Sequence, residues 1–278
     1  MTKADFSSIY TAPDPRAYYA TLSELEYQIP DHGGRLFSQL AEHLTTERDL
    51  ERVRVADLCC SYGVNAAVMK HGLSFAELAD HYTSDKVAEL DVDELVDFDR
   101  EWFAANSAPL EMSILGLDVS QPAIDYATEV GLLDAGAAED LEAADPSPQL
   151  ATELSAVDLV TVTGGIGYIT ESTIGRVLEA TPDDAWLAAL SLRWIDFEAV
   201  AAEAERHGLV VERLEGETFP QRRFADGNER RHALEQLARF DEQITPGEAA
   251  GYHEASLYLM RPPADAAAVS LDELLPDT

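Results

Sequence analysis

The chain has 278 residues, of which 46% are hydrophobic, a composition typical of a globular protein with room for one α/β domain and some additions. Its 53 acidic and 19 basic residues give a formal net charge of −34 at pH 7. Such an acidic surface repels phosphate backbones and anionic lipids, so we expect no nucleic-acid partner and no membrane partner. The sequence has neither a long apolar run nor an apolar leader segment, which predicts a cytoplasmic protein.

The first fifty residues predict a helical lead-in before the core. Pro13 and Pro15 mark its start, and apolar residues between 36 and 44 recur at helical spacing. The apolar run 53–60 ends in a turn and predicts a buried strand, and residues 65–70 begin a helix.

The only two cysteines, Cys59 and Cys60, are adjacent at the end of the first predicted strand. Neighbouring cysteines seldom bond to each other, and two thiols alone do not complete a structural zinc site. We therefore expect two small buried residues and no metal.

A block over 73–112 follows, which a minimal parallel α/β fold does not need. It carries two helical patterns, and we interpret it as an insertion after the first core helix. Further strands are predicted at 114–119, 157–163, 185–192, 209–214 and 255–260. Helices alternate with them, and the segment 216–250 forms a second insertion with a helix near 229–243. This alternation predicts a parallel sheet with crossover helices in a core over 51–263, followed by an acidic tail over 264–278.

The most informative stretch runs from Val55 to Gly63, where a strand passes through a loop of small residues into a helix. In a parallel sheet such a loop lies at the carboxyl end of its strand, where α/β folds bind ligands. Here the chain resembles the class I S-adenosylmethionine-dependent methyltransferase family, with Asp57 as the acid of its first motif and Gly63 as the last glycine. Cys59 and Ser61 stand where that family usually has glycines, which tolerate positive φ.

Three later stretches resemble the family's other motifs in the same order. Asp118 ends a strand and resembles the family's acid that holds the two ribose hydroxyls. Glu139 and Asp140 resemble the family's acidic turn at the adenine, and of these two Asp140 is the preferred candidate. The strand ending at Thr163 resembles the fourth-strand motif beside the methyl group. The resemblance thus implies S-adenosylmethionine as cofactor, bound by Asp57, Cys59, Ser61, Gly63, Asp118, Val119, Glu139, Asp140, Thr163, Gly164 and Gly165. It also implies a Rossmann-like, doubly wound, mostly parallel seven-stranded sheet with helices on both faces.

One spacing departs from that pattern. Asp118 follows Asp57 by 61 residues, whereas the second acid of such units usually comes about twenty residues after the first loop. The insertion over 73–112 accounts for the excess.

The residues on the substrate side are less well marked. Methyl transfer from a sulfonium is an in-line displacement that depends mainly on positioning, so the family needs no shared catalytic residue. Weak catalytic candidates are Tyr168, after the glycine turn, and His71, while His81 and His207 are further histidines that are more often structural. The substrate candidates are Tyr19 and Tyr27 in a lead-in that could act as a lid, Trp102 in the insertion, and Arg222 and Arg223. The alternatives are packing for the aromatic residues, and salt bridges or a subunit contact for the arginines.

Three functions compete at this point. The first is an S-adenosylmethionine-dependent methyltransferase acting on a small molecule, with a homodimer left open. The second is a methyltransferase-like binding protein or partner subunit without catalysis, which the two replaced glycines favour. The third, a nucleotide-dependent oxidoreductase, fits less well because the loop has too few glycines to cradle a pyrophosphate.

Overall fold

The computed structural model of the chain describes residues 7–106 and 110–276. The first six residues of the predicted lead-in, three of the first insertion and two of the tail therefore lie outside it. The strands are β1 (Val53–Leu58), β2 (Met112–Asp118), β3 (Ala135–Ala138), β4 (Leu159–Thr163), β5 (Trp186–Leu192), β6 (Val210–Arg213), β7 (Phe219–Arg223) and β8 (Tyr252–Arg261). The helices are α1 (Ser7–Tyr10), α2 (Arg16–Glu24), α3 (Ile29–Glu47), α4 (Val64–His71), α5 (Phe75–Tyr82), α6 (Asp85–Ala88), α7 (Val92–Ala104), α8 (Gln121–Glu129), α9 (Pro148–Leu154), α10 (Glu171–Ala180), α11 (Glu198–Arg206), α12 (Gly227–Arg239), α13 (Pro246–Ala250), α14 (Pro263–Ala268) and α15 (Leu271–Leu274).

The strands form a single sheet in the order β3-β2-β1-β4-β5-β8-β6. Strands β1 to β5 run parallel, and β8 runs antiparallel to β5, β6 and β7. The order reverses between β1 and β4, so crossover helices cover both faces and ligands are expected at the carboxyl ends of these strands. This is the Rossmann-like, mostly parallel fold that the sequence predicts.

The number of strands is a correction, because the described residues form a sheet of eight strands, whereas seven were predicted. Ala255 of β8 pairs with Leu192 of β5 on one edge and with Phe219 of β7 on the other. The same outer edge pairs farther along with β6, where Val211 lies opposite Met260. Strands β6 and β7 thus share one edge of β8 in succession, and β7 lies at the ligand-binding end of the sheet.

Buried apolar residues fill both faces of the sheet, because each central strand alternates its side chains between them. On one face Val55 packs with α3, α4 and α8, and the first insertion extends this cluster. On the other face Leu58 packs with α9, α10 and α11. The loops at the carboxyl end of the sheet are therefore held by two separate cores.

The first insertion has its own polar centre. The carboxylate of Asp99 is fully buried and accepts hydrogen bonds from the hydroxyls of Tyr82 and Tyr126. His81 Nε2 lies 2.6 Å from the same carboxylate, and its ring stacks on Trp102 with centroids 3.8 Å apart. These contacts fix α5 and α7 against α8.

The segment predicted as an acidic tail folds into two short helices, α14 and α15. Leu271, Leu274 and Leu275 are buried in the core beside α3. Within the described part of the chain, no helix is both long and apolar enough to cross a membrane.

Candidate cofactor and acceptor site

The loop between β1 and α4 carries three left-handed residues at alternate positions. Cys59, Ser61 and Gly63 have φ of 57°, 51° and 75°. Such a conformation costs an L-residue roughly 1–2 kcal/mol, so the surrounding structure must enforce it at Cys59 and Ser61. The two positions where glycine is replaced therefore keep the backbone that glycine would adopt. Of the two cysteines, Cys60 is buried and Cys59 only partly so, and neither forms a disulfide bond within the described part of the chain.

Asp57 lies at the base of this loop with 1% of its surface exposed. Its Oδ1 accepts hydrogen bonds from Asn65 at 3.0 Å and from Thr161 at 2.8 Å. Burial raises the pKa of this carboxyl to about 6, although those two hydrogen bonds lower it. Its Oδ2 is buried without a hydrogen-bond partner among the described residues. One carboxylate oxygen is thus fixed, and the other still needs a donor.

Asp118 brings the end of β2 to the same loop. Its Oδ2 accepts a hydrogen bond from the backbone N–H of Ser61 at 2.9 Å, and its Oδ1 accepts one from Ser120 at 3.0 Å. A carboxylate has about four acceptor positions, so each oxygen keeps capacity for another donor. The next residue, Val119, leaves 71% of its surface exposed, which makes it an apolar surface beside the loop.

The turn after β4 meets the first loop from the other side. A Cβ built on Gly165 would lie 2.9 Å from the sulfur of Cys59, so only glycine lets the two loops approach this closely. Gly164 has φ of 67°, and a Cβ there would lie 2.6 Å from Nε2 of Gln221. Thr163 accepts a hydrogen bond from Asn65 at 3.0 Å. Residues predicted from three separate motifs therefore meet at one edge of the sheet.

Three residues of this site escaped the sequence analysis. Asn65 links Asp57 to Thr163, and Thr161 holds Asp57 from the neighbouring strand. Gln221 of β7 is 5% exposed, and its Oε1 has no hydrogen-bond partner among the described residues. Asn65 could have been found from the sequence, because it is a polar residue in the first turn of a predicted core helix. No sequence pattern pointed to Gln221.

The acidic turn after β3 is engaged locally. Both oxygens of Glu139 accept hydrogen bonds from Ser147, at 2.9 Å from its N–H and 2.6 Å from its hydroxyl. Asp140 is exposed, and its Oδ1 accepts a hydrogen bond from the backbone N–H of Glu142. Of the two, Asp140 is the more accessible to a ligand.

The lead-in covers the loop between β1 and α4 through hydrogen bonds to its backbone carbonyls. The hydroxyl of Tyr62 donates to the carbonyls of Ile9 and Ala12, at 3.0 and 2.8 Å. The hydroxyl of Ser120 donates to the carbonyl of Tyr10 at 2.6 Å. A role as a lid remains a prediction, but this segment does lie directly above the first loop.

Several substrate and catalytic candidates lie elsewhere. Tyr19 is buried and stacks on Tyr82, with centroids 4.6 Å apart. Tyr27 packs edge-on against Phe75 but is an exception, because it lies near enough to Asp57 and Tyr168 to interact with them electrostatically, so its role at the substrate stays a prediction. His71 ends α4, about 12 Å along the helix axis from the loop that begins it. The others are occupied in packing or pairing: Trp102 stacks on His81 in the insertion, and His207 lies 3.1 Å from Glu203 at the end of α11.

The two arginine candidates are both paired with acids. Arg222 is 3% exposed and donates two hydrogen bonds to Glu229, at 2.7 and 3.0 Å. Although burial by itself would raise the pKa of Glu229, hydrogen bonds from His253 and Arg222 hold it well below its ordinary value. Arg223 pairs with Glu26 at the surface. Salt bridges, one of the two alternatives for these arginines, are thus present, while a role of Arg222 and Arg223 at the substrate stays a prediction.

A cavity of about 350 Å³ opens beside the turn after β4. The turns after β4 and β5 and the helix α12 line it with Ile166, Gly167, Tyr168, Trp194, Ile195, Asp196, His232, Gln236 and Phe240. Its volume suits a small molecule, and it begins one residue beyond the Gly164–Gly165 turn. Tyr168 is the one predicted catalytic candidate that lies in it. Within 7–106 and 110–276, no three His, Cys, Asp or Glu side chains stand close enough to hold a metal ion.

No protein-family model and no curated protein matches the sequence. Several solved structures are similar to the chain, all at low identity. A TehB-like S-adenosylmethionine-dependent methyltransferase from Corynebacterium glutamicum is 14% identical, with 81% of this chain and 85% of that one covered and a TM-score of 0.40. Magnesium protoporphyrin IX methyltransferase from Synechocystis is 12% identical over 82% and 80%, with a TM-score of 0.40. An S-adenosylmethionine-dependent methyltransferase from Aquifex aeolicus is 14% identical over 93% and 100%, with a TM-score of 0.40.

These likenesses concern the fold at most and say nothing about activity. The strand order itself defines the class of fold: a Rossmann-like, mostly parallel α/β sheet whose ligand edge includes the loop after β1.

Proposed function

We propose that the chain binds S-adenosylmethionine at the carboxyl ends of β1, β2 and β4 and transfers its methyl group to a small-molecule acceptor. The observation that carries this proposal is the loop of Cys59, Ser61 and Gly63, whose three left-handed residues lie between the carboxylates of Asp57 and Asp118. Left-handed backbone at residues other than glycine is strained, and such strain clusters at ligand and active sites.

The residues present fit this cofactor in their chemistry. Asp57 Oδ2 and the Ser61 hydroxyl are buried without partners among the described residues, and an ammonium or hydroxyl of a ligand would satisfy them. Asp118 keeps acceptor capacity for two ribose hydroxyls, and exposed Val119 offers an apolar surface for a purine ring. When bound, S-adenosylmethionine would supply a methyl group already activated by its sulfonium.

The protein's own contribution would be positioning. Asp57 and Asp118 would orient the cofactor from two strands, while Gly164 and Gly165 permit close approach at the end of β4. The segment around Tyr10 covers the first loop and would keep water away from the reacting groups. Positioning of two reactants in line can supply much of the rate enhancement of such a displacement.

The same carboxylates count against a pyrophosphate ligand. Asp57 and Asp118 place two acidic side chains at the loop, and a pyrophosphate would be repelled by them. S-adenosylmethionine carries no phosphate, so this charge favours it over a nicotinamide dinucleotide.

Isothermal titration calorimetry with S-adenosylmethionine, S-adenosylhomocysteine and NAD tests the proposal. We expect both sulfur ligands to bind and NAD not to bind. Asp118→Asn should weaken binding of S-adenosylhomocysteine about tenfold or more, because it removes a charged acceptor. Asp125→Asn makes the same charge change on the exposed face of α8 and serves as the matched control.

Absence of binding by either sulfur ligand would refute the proposal, as would equal losses in the two variants. Transfer of a radiolabelled methyl group to a panel of small molecules then separates enzyme from binding protein. Binding without transfer across that panel would favour the alternative of a non-catalytic binding or partner subunit.

A further inference from the structure

The cavity beside the β4 turn has an aromatic lining. Tyr168, Trp194 and Phe240 contribute rings from three different segments, and the imidazole of His232 lies edge-on to the indole of Trp194 with centroids 5.6 Å apart. Tyr168 and Phe240 are 60% and 40% exposed, so they stand at the open rim, whereas Trp194 forms the buried wall. The negative faces of aromatic rings attract cations, most strongly in sites shielded from water.

A chain of buried polar contacts holds that wall in place. The indole N–H of Trp194 donates to Nδ1 of His253 at 2.9 Å. Because Nδ1 is the acceptor, the ring proton of a neutral His253 must be on Nε2, which lies 3.3 Å from Glu229. Glu229 is in turn held by both guanidinium nitrogens of Arg222. Arg222, the buried arginine of this segment, therefore helps to orient an aromatic wall.

The formally charged residues that line the cavity have one sign. Of the described residues that line it, Asp196 is the one carboxylate, and none is a lysine or arginine. Arg193 behind the β5 turn pairs with Glu242 and Glu248. Arg239 donates to the side chain of Gln236 but is itself outside the lining. An anionic acceptor would thus find no cation lining the cavity, in a chain whose net charge is −34.

We propose that this cavity binds an amine or ammonium group carried on a small apolar body, and that the methyl acceptor is therefore a nitrogen. The inference rests on the proposed function for the transfer itself. An amine that enters as its ammonium form would first lose one proton to water at the open rim. Its lone pair would then form the new N–C bond, while the electron pair of the breaking S–C bond stays on sulfur and yields a thioether and a methylated ammonium.

The test compares three probes of nearly the same shape that cannot themselves be methylated on nitrogen: choline, its uncharged isostere 3,3-dimethylbutan-1-ol, and the anion 3,3-dimethylbutanoate. Dissociation constants would be measured by ligand-observed NMR in about 1 M KCl, where the screening length falls to about 3 Å and general attraction to the acidic surface is suppressed. We expect choline to bind about tenfold more tightly than the alcohol, and the anion to bind most weakly.

Three variants locate the binding. Phe240→Leu keeps an apolar side chain but removes a ring face, and should lower the preference for choline about threefold. Asp196→Asn should lower it as well, while its side-chain oxygen can still accept the hydrogen bond from Glu198. Asp93→Asn makes the same charge change at an exposed position in the first turn of α7 and should leave the preference unchanged.

Equal affinities for choline and the alcohol would overturn the inference. So would equal losses in Asp196→Asn and Asp93→Asn, which would indicate surface charge alone. Titration of S-adenosylhomocysteine into the same samples separates the two proposals. If it binds and the choline preference is absent, only the acceptor class is wrong. If choline is preferred and S-adenosylhomocysteine does not bind, the methyltransferase proposal fails and the ammonium site stands.

Discussion

Replacing Asp57 with asparagine should change how the stability of the protein depends on pH. The carboxyl is buried, and its pKa in the folded protein is raised from 3.8 to about 6. A difference of about two pKa units corresponds to about 3 kcal/mol between the protonated and ionised forms. Because the folded protein holds this proton more tightly than the unfolded chain does, Asp57 stabilises the fold most below about pH 4. That contribution is lost as the pH rises through about 6.

The Asp57→Asn variant has no such ionisation. Its Oδ1 can still accept the hydrogen bonds from Asn65 and Thr161, while its NH₂ group replaces the oxygen that has no partner. The buried NH₂ adds a penalty of about 1–3 kcal/mol that does not vary with pH. The informative quantity is therefore the difference in unfolding free energy between the two proteins, and how that difference changes with pH.

Urea unfolding followed by tryptophan fluorescence between about pH 4 and 7 measures this quantity without added ligand. We expect the unfolding free energy of the original protein, relative to Asp57→Asn, to fall by about 2.4 kcal/mol across that range, because the carboxyl of the unfolded chain is already more than half ionised at pH 4. Asp93→Asn removes an exposed carboxylate and should differ from the original protein by less than about 0.5 kcal/mol. A difference between the original protein and Asp57→Asn that stays flat with pH would refute the reasoning that burial perturbs Asp57.

Three further substitutions test the site and its supports. Ser61→Gly should raise the unfolding free energy by about 1 kcal/mol in urea, because glycine adopts φ of 51° without strain, and a destabilised variant would contradict this. Glu229→Gln should lower it by about 3 kcal/mol, since it leaves the buried guanidinium of Arg222 uncompensated; a loss below about 1 kcal/mol would argue against a tight pair. Gly164→Ala should weaken binding of S-adenosylhomocysteine in calorimetry, because its Cβ would press on Gln221, and unchanged affinity would place the ligand elsewhere.

The central strands and the acids that end them could be predicted from the sequence. The runs of apolar residues in β1, β2, β4 and β5 are typical of strands buried on both faces of a parallel sheet. Helical patterns lie between these runs, as crossover helices require. The position of an acid directly after such a run places it at the ligand edge, which located Asp57 and Asp118. Local patterns sufficed here because burial on both faces imposes them residue by residue.

The weakest strands could not be predicted in this way. Strand β3 is Ala-Gly-Ala-Ala, and β7 contains Pro220 and two arginines, a composition that opposes a central strand. Strand β7 exists because β8 is longer than β6 and leaves part of its outer edge open beside the ligand end. Its pairing depends on a partner some thirty residues away, and this is why Gln221 could not be foreseen.

The sequence by itself determined the alternating α/β order, the acids at the strand ends and the acidic surface, since each depends on neighbouring residues or on composition. Only the tertiary structure decided that Cys59 and Ser61 keep left-handed backbone, because the contact with Asp118 spans 57 residues. It also decided that Arg222 faces Glu229 and that three separate segments line an aromatic cavity. Such outcomes follow from packing between elements, and packing leaves no periodic trace in the chain.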